Sequence, residues 1–289
     1  MSGAPGNTPA RSAADYFEQN AILEVLDVHL ALGGQPILEG VDLVVRDLRQ
    51  RGSVRGQIRG IIGPSGVGKT QLLRVIAGLS RADRGGVRVA VDDTGTMQPV
   101  RPGMVGVVAQ HYPLFAHLTV LQNLSLAGRA SGMAGRLARQ QAMELLGRFR
   151  LDDRARFWPS QLSGGQRQRV AILQQLMVNR FFLVMDEPFS GLDPNAIGAV
   201  TDFVREVSNA HELNTLLIIS HDIRSVVAIC DRVHLLGRAF DESGRRQRAA
   251  HVVRELDLLA SGIAWSDNPK ALPVFHELVN DIEATFKTM

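Results

Sequence analysis

Residues 63–70 read Gly-Pro-Ser-Gly-Val-Gly-Lys-Thr, and a chain that carries G-x-x-x-x-G-K-[ST] has few folds open to it. The glycines let the backbone curl until successive N–H groups point inward at one anion, and a helix starting at the end of the loop adds its positive dipole end. The motif therefore needs a strand before it and a helix after it. Residues 57–62 supply the aliphatic run of a strand, and residues 71–79 put Leu72, Leu73, Val75 and Ile76 on one broad helical face with Gly78 near its end. Gly63, Pro64, Ser65, Gly66, Val67, Gly68, Lys69, Thr70 and the adjoining Gln71 are thus the expected triphosphate cradle. In it Lys69 would reach the β- and γ-phosphates as a point charge, and the Thr70 hydroxyl would ligate Mg²⁺.

A phosphate cradle alone leaves many chemistries open. The second half of the site is Leu183-Val184-Met185-Asp186-Glu187-Pro188, an apolar strand that ends in two carboxylates. Runs such as 181–185 and 216–219, apolar throughout, are what parallel strands buried on both faces produce. In a parallel sheet these strand ends gather beside the phosphate loop. Asp186 would hold Mg²⁺, directly or through water, and Glu187 would accept a proton from the attacking water.

Leu162-Ser163-Gly164-Gly165-Gln166, followed by Arg167-Gln168-Arg169 and an apolar helix, is a further anion site: a hydroxyl and glycine N–H groups at a helix start. With these residues the chain resembles the ABC transporter ATPases over about residues 22–240. The resemblance implies an α/β fold, a P-loop NTPase core of ABC ATPase type with an antiparallel β subdomain and a helical subdomain near 111–170. It implies that residues 162–166 cover the γ-phosphate of ATP held by a second ATP-binding subunit, in a homodimer or heterodimer. It also makes Gln110 the glutamine that touches Mg²⁺ or water and senses a membrane partner. Ser190-Gly191-Leu192-Asp193 becomes the loop across the dimer seam, with Asp193 at the nucleotide, and His221 becomes the histidine that contacts the γ-phosphate.

Three departures from the family pattern stand out. Leu32, before Gly33-Gly34, occupies the place of the usual adenine-stacking aromatic, and Gln71 stands where a second Ser or Thr is common. The segment 46–60 is longer than the usual turn and holds Arg46, Arg49, Arg51, Arg55 and Arg59, read as a solvated hairpin, with a contact to phosphate, lipid or a partner as the alternative. Residues 1–20 read as a mobile tail with a short helix expected at its end, 21–240 as the ATPase domain, and 241–289 as a helical extension ending in an amphipathic helix.

The resemblance implies an ATPase coupled to transport through separate permease subunits, with ATP and Mg²⁺ as ligands. Residues 157–161, Phe-Trp-Pro-Ser-Gln, resemble the lead-in of importer subunits, so a substrate-binding protein could join the complex. Phe115 and Leu118 would line the groove for the membrane subunit. Lipid-moving or export systems, and soluble ABC ATPases of DNA maintenance or translation, are the alternatives. The soluble ones are disfavoured by the single copy of each motif and the lack of long coiled coils or Cys-rich inserts. Nucleic acid is not an expected partner: a net charge of +3 suits phosphates or an anionic membrane face without selecting among them. A lone cysteine, Cys230, in an apolar run is a core residue and points to a reducing compartment. No run approaches the roughly 18 apolar residues of a membrane span, and residues 1–20 hold no signal peptide, so a cytoplasmic protein peripheral to the membrane through its partners is expected.

Overall fold

The computed structural model describes residues 16–50, 55–92, 94–178, 182–240 and 247–289. Among the described residues ten strands form two sheets. A four-stranded antiparallel sheet contains β1 (Tyr16–Leu32), β2 (Gln35–Gln50), β4 (Arg84–Ala90) and β5 (Met97–Pro99), in the order β2-β1-β4-β5. The second sheet contains β3 (Gln57–Ile62), β6 (Gly106–Val108), β7 (Phe182–Asp186), β8 (Thr215–Ser220), β9 (Arg232–Gly237) and β10 (His251–Asp257), in the order β10-β9-β3-β8-β7-β6. Every pair in it is parallel except β10 with β9.

The apolar runs are buried on both faces, and alternate residues feed different cores, as the two-residue period of a strand requires. On β8, Leu216 and Ile218 join a core with the helices of the second half of the chain, whereas Leu217 and Ile219 join a core with the antiparallel sheet. On β7, Leu183 and Met185 go one way and Phe182 and Val184 the other. The second core is closed by α1 (Lys69–Ile76), whose Leu72, Leu73, Val75 and Ile76 are all buried. The first is closed by α2 (Val120–Ala130), α3 (Gly135–Arg148), α4 (Gly164–Leu176), α5 (Pro194–Ser208), α6 (Ile223–Ile229) and α7 (Pro273–Thr288). Among the described residues no helix is long and apolar enough to cross a membrane.

Three expectations need correction. The short helix near residue 20 is instead the start of β1 at Tyr16, which pairs with Gln50 of β2; residues 1–15 of the expected tail lie outside the described residues. The extension after residue 240 is not wholly helical: β10 adds an edge strand to the parallel sheet before α7. The arginine-rich segment is not a solvated hairpin. β2 runs to Gln50, Arg49 pairs with Asp47 at 2.7 Å and Glu212 at 2.6 Å, and Arg59 on β3 is fully buried, donating to Gln57 Oε1 and the Arg46 carbonyl. Arg51 lies outside the described residues. Cys230 is fully buried, and burial pushes its thiol pKa well up.

Candidate active site

The loop 63–68 leaves the end of β3 and turns directly into α1. Gly66 and Gly68 have φ of +75° and +116°, a region that side-chain-bearing residues avoid. At Gly68 a Cβ would also meet Ile37 Cγ2 at 2.9 Å, so backbone and space both demand glycine there. Lys69 opens α1 and folds back over the loop: its Nζ donates to the Gly63 carbonyl at 2.9 Å and the Pro64 carbonyl at 3.1 Å, and lies 3.6 Å from Glu187 Oε1. Burial holds the Lys69 pKa below its ordinary value, outweighing the attraction of Glu187 and Asp186.

Glu187 follows the last residue of β7 with φ of 48°, a strained value for a residue with a side chain, held by its N–H donating to the Ile219 carbonyl at 2.8 Å. Its carboxylate is gripped from β8: Ser220 Oγ donates to Oε2 at 2.7 Å, the His221 N–H reaches Oε2 at 3.3 Å, and His221 Nδ1 lies 2.9 Å from Oε1. Burial works to raise the Glu187 pKa, but the bonds from His221 and Ser220 together outweigh it and leave it lowered. Its neighbour behaves oppositely. Burial, then the charge of Glu187, raise the Asp186 pKa, against the hydroxyl of Thr70 and the charge of Lys69. Two adjacent carboxylates thus differ in proton affinity, the better base-ready one being Glu187.

The donor set suits a hard cation. Asp186 Oδ1 is buried without a hydrogen-bond partner, and Thr70 bonds to the same side chain. Among the described residues no cluster of three or more His, Cys, Asp or Glu could hold a metal alone. Mg²⁺ does not ask for one, because it keeps waters and takes phosphate oxygens with one or two protein oxygens.

A cleft of about 490 Å³ collects Ser65, Gly66, Gly68, Lys69, Thr70, Gln71, Gln110, Glu187 and His221, together with Leu32 at the end of β1 and Ile37 near the start of β2. Gln110 Nε2 reaches Ser190 Oγ at 3.4 Å across its mouth. Gly63, Pro64 and Val67 support the loop from behind, Val67 being 5% exposed. The remaining expected residues are elsewhere. Ser163 caps α4 by accepting from the Gln166 N–H at 3.2 Å while Gln166 Oε1 accepts from the Ser163 N–H at 3.0 Å, a capping box. Leu162 anchors this turn in the core, and Ser163 and Gly164 are exposed, with Gly165 half-buried beside them. Asp193, also exposed, caps α5 through the N–H groups of Asn195 and Ala196. Residues 162–166 and Asp193 do not line the cleft.

Sequence reasoning missed four contributors. Ser220 grips Glu187, a role its place beside His221 could have suggested. Ile37 lines the cleft, and no sequence signal separates it from a strand residue. Tyr112 Oη and Gln168 Nε2 both donate to the Pro188 carbonyl, at 3.3 and 3.0 Å, tying the Gln110 loop and α4 to the turn after Glu187. Beyond the cleft, an apolar groove of about 740 Å³ lies between Pro113, Leu114 and Phe115 and the facing Leu126, Ala127 and Val178. Phe115 is 48% exposed there, but Leu118 is half-buried and does not line the groove.

The ABC transporter family model matches residues 53–190. The chain is 37% identical over 228 residues to the methionine import ATP-binding protein MetN of Rhizobium etli, covering 76% of this chain and 60% of that protein. It is 38% identical over 205 residues to the sulfate/thiosulfate import ATP-binding protein CysA of Xylella fastidiosa, covering 70% of this chain and 56% of that protein. The chain thus spans well under two thirds of the length of these relatives. Among solved structures, cbiO1 of Clostridium perfringens, part of an ABC transporter complex, superposes with a TM-score of 0.68 at 21% identity, over 92% of this chain and 99% of that one.

Proposed function

The chain belongs to the ABC transporter family of ATP-binding proteins, and on that premise we propose that it is the ATP-hydrolysing subunit of a membrane importer, working in a pair beneath separate permease subunits. The observation that carries the reading is the Glu187 carboxylate, held ionised by Ser220 and His221 3.6 Å from the buried Lys69 ammonium at the phosphate loop. A triphosphate entering the cleft meets the backbone N–H groups of residues 65–70 and draws Lys69 Nζ away from the Gly63 and Pro64 carbonyls. Glu187 accepts a proton from a water that attacks the γ-phosphorus; the bond from that phosphorus to the β–γ bridging oxygen breaks, releasing ADP and phosphate. His221 and Gln110 orient the water and the γ-phosphate from opposite walls. Asp186 and Thr70 would hold Mg²⁺, which when bound offsets charge on the β- and γ-oxygens.

Ser163, Gly164 and Asp193 are exposed, and with the half-buried Gly165 they lie outside this chain's own cleft, which supports their use on a nucleotide held by a second ATP-binding subunit. The apolar groove at Phe115 supports docking of a short helix from a permease, an attachment that would hold the protein at the inner face of the membrane. Import is favoured by the identity to the two import subunits. The test is affinity capture of the tagged chain from detergent-solubilised native membranes, with mass spectrometry and an ATPase assay on the captured material. A multispanning protein co-purifying with ATPase activity supports the reading. Capture of nucleic-acid-associated or ribosomal proteins alone would sink it.

A further inference from the structure

The structure assigns to Ile37 the wall that receives the nucleotide base, and to Ala250, in the extension beyond the ATPase core, the task of positioning that wall. Ile37 lines the cleft beside Leu32 and also packs on Gly68 of the phosphate loop, where even a Cβ would touch its Cγ2 at 2.9 Å. Leu32 is 46% exposed and aliphatic, so the base meets no aromatic face there, and affinity for it depends on where a second apolar side chain stands. The placement of Ile37 is set from the far end of the sequence. The Ala250 N–H donates to the Ile37 carbonyl at 2.9 Å, and the Glu39 N–H donates to the Ala250 carbonyl at 3.0 Å. This parallel bridge has Leu38 directly opposite Ala250, both fully buried or nearly so, and it is the point where the extension meets β2. Next to it, β10 is held in register on β9, so the bridge ties the base wall to the parallel sheet that carries the phosphate loop.

A buried, two-bond bridge between the edge of the nucleotide cleft and a segment outside the shared core motifs has a particular consequence. Ile37 and Leu38 of the bridge also back Gly68 of the phosphate loop, but the phosphates are gripped by the loop and Lys69, whereas the base wall itself loses its placement when the bridge opens, so base binding suffers more than phosphate binding. Ala250 is therefore a positioning residue for base affinity. This inference rests on the nucleotide-hydrolysing reading above and deepens it.

The experiment separates base from phosphate by using two ligands, ATP and inorganic tripolyphosphate, at the same Mg²⁺ concentration on the full chain. Ala250→Pro removes the N–H that bonds Ile37, Ala250→Gly keeps it, and Ile37→Ala trims the wall while keeping both backbone bonds. The expected result is a Kd for ATP raised about fivefold or more in Ala250→Pro and Ile37→Ala, near wild type in Ala250→Gly, with the tripolyphosphate Kd raised clearly less than that for ATP in the first two variants. KM for ATP rises with kcat retained at saturation in the same two variants. If Ala250→Pro does not fold, hydrogen exchange on the wild-type chain reads the bridge directly: ATP should slow exchange of the Glu39 amide, and tripolyphosphate should not. ATP and tripolyphosphate affected alike, or ATP affinity unchanged in Ile37→Ala, overturns the inference while leaving the nucleotide reading intact. A wild-type chain that binds neither ligand overturns both.

Discussion

Glu187→Gln is the substitution whose outcome the site geometry defines most tightly. The carboxylate has two sets of neighbours: Ser220 Oγ and the His221 N–H on Oε2, and His221 Nδ1 with Lys69 on Oε1. An amide can keep its oxygen toward the first set and turn its NH₂ toward His221 Nδ1, which accepts in the neutral tautomer that carries its proton on Nε2. The fold is therefore preserved, and Lys69 keeps its bonds to the Gly63 and Pro64 carbonyls. Two things change. The site loses its proton acceptor, a general-base contribution of roughly 10²- to 10⁴-fold, or about 3–5 kcal/mol of barrier. Lys69 also loses a nearby counter-charge, so its attraction for a γ-phosphate is no longer offset. The expected outcome is kcat lowered at least about 100-fold with ATP binding equal to or tighter than wild type, measured by steady-state phosphate release and by equilibrium titration. A variant that keeps more than a tenth of the wild-type kcat would show that Glu187 is not the base; one that loses ATP binding would show that the carboxylate organises the cradle.

Two further substitutions probe the rest of the molecule. Ser163→Asp separates the two uses of the signature turn, because Asp caps a helix as well as Ser does while adding a negative charge where another subunit's phosphates would approach. Thermal stability should stay within about 0.5 kcal/mol of wild type, and ATP turnover should fall at least about tenfold; unchanged turnover would remove residues 162–166 from the site. Asp231→Asn tests a buried carboxyl that accepts from the Ile58 N–H at 2.7 Å and from Trp265 Nε1, with burial raising its pKa to about 6. Because the folded pKa is raised, its contribution to stability is full below the unfolded value near 3.9 and is lost as pH rises through about 6, a swing of about 3 kcal/mol. Denaturant titrations from pH 4 to 7 should therefore show the wild type losing stability relative to Asp231→Asn as pH rises; parallel curves would refute the assignment.

That the residues of the phosphate loop, Glu187 and His221 share one cleft was legible because the proposed phosphate binding constrains both residue type and order. A loop with glycine at φ of +116°, a lysine at the head of a helix and a carboxylate pair at a strand end are written locally, within eight residues or fewer. The helix α7 was legible for the same reason, since Phe275, Val279 and Ile282 recur at helical spacing and all three are buried. What escaped is non-local. β10 is an edge strand with Arg254 and Glu255 exposed, so it lacks the apolar alternation that marks a strand, and only its pairing with β9 makes it one. Arg59 looked solvent-bound because arginine usually is. Its burial depends on Gln57 Oε1, two residues earlier on the same strand, and on the Arg46 carbonyl, which comes within reach only when β2 of one sheet packs near β3 of the other.

The same division runs through the function. The residues proposed to hold phosphate and activate water converge in one cleft from β3, β7 and β8, each set at a strand end where a parallel sheet brings it automatically. Those that would sense another molecule are displaced from it: residues 162–166 and Asp193 at helix starts where Ser163, Gly164 and Asp193 are exposed, Phe115 in a separate apolar groove. Two hydrogen bonds join these regions to the chemistry, both ending on the Pro188 carbonyl one residue beyond Glu187, from Tyr112 of the Gln110 loop and Gln168 of α4. A shift of either α4 or the groove-bearing loop therefore reaches the turn after Glu187 through the Pro188 peptide group, and on the proposed function motion at a permease or at a dimer seam would have a short physical route to the carboxylate proposed to activate water.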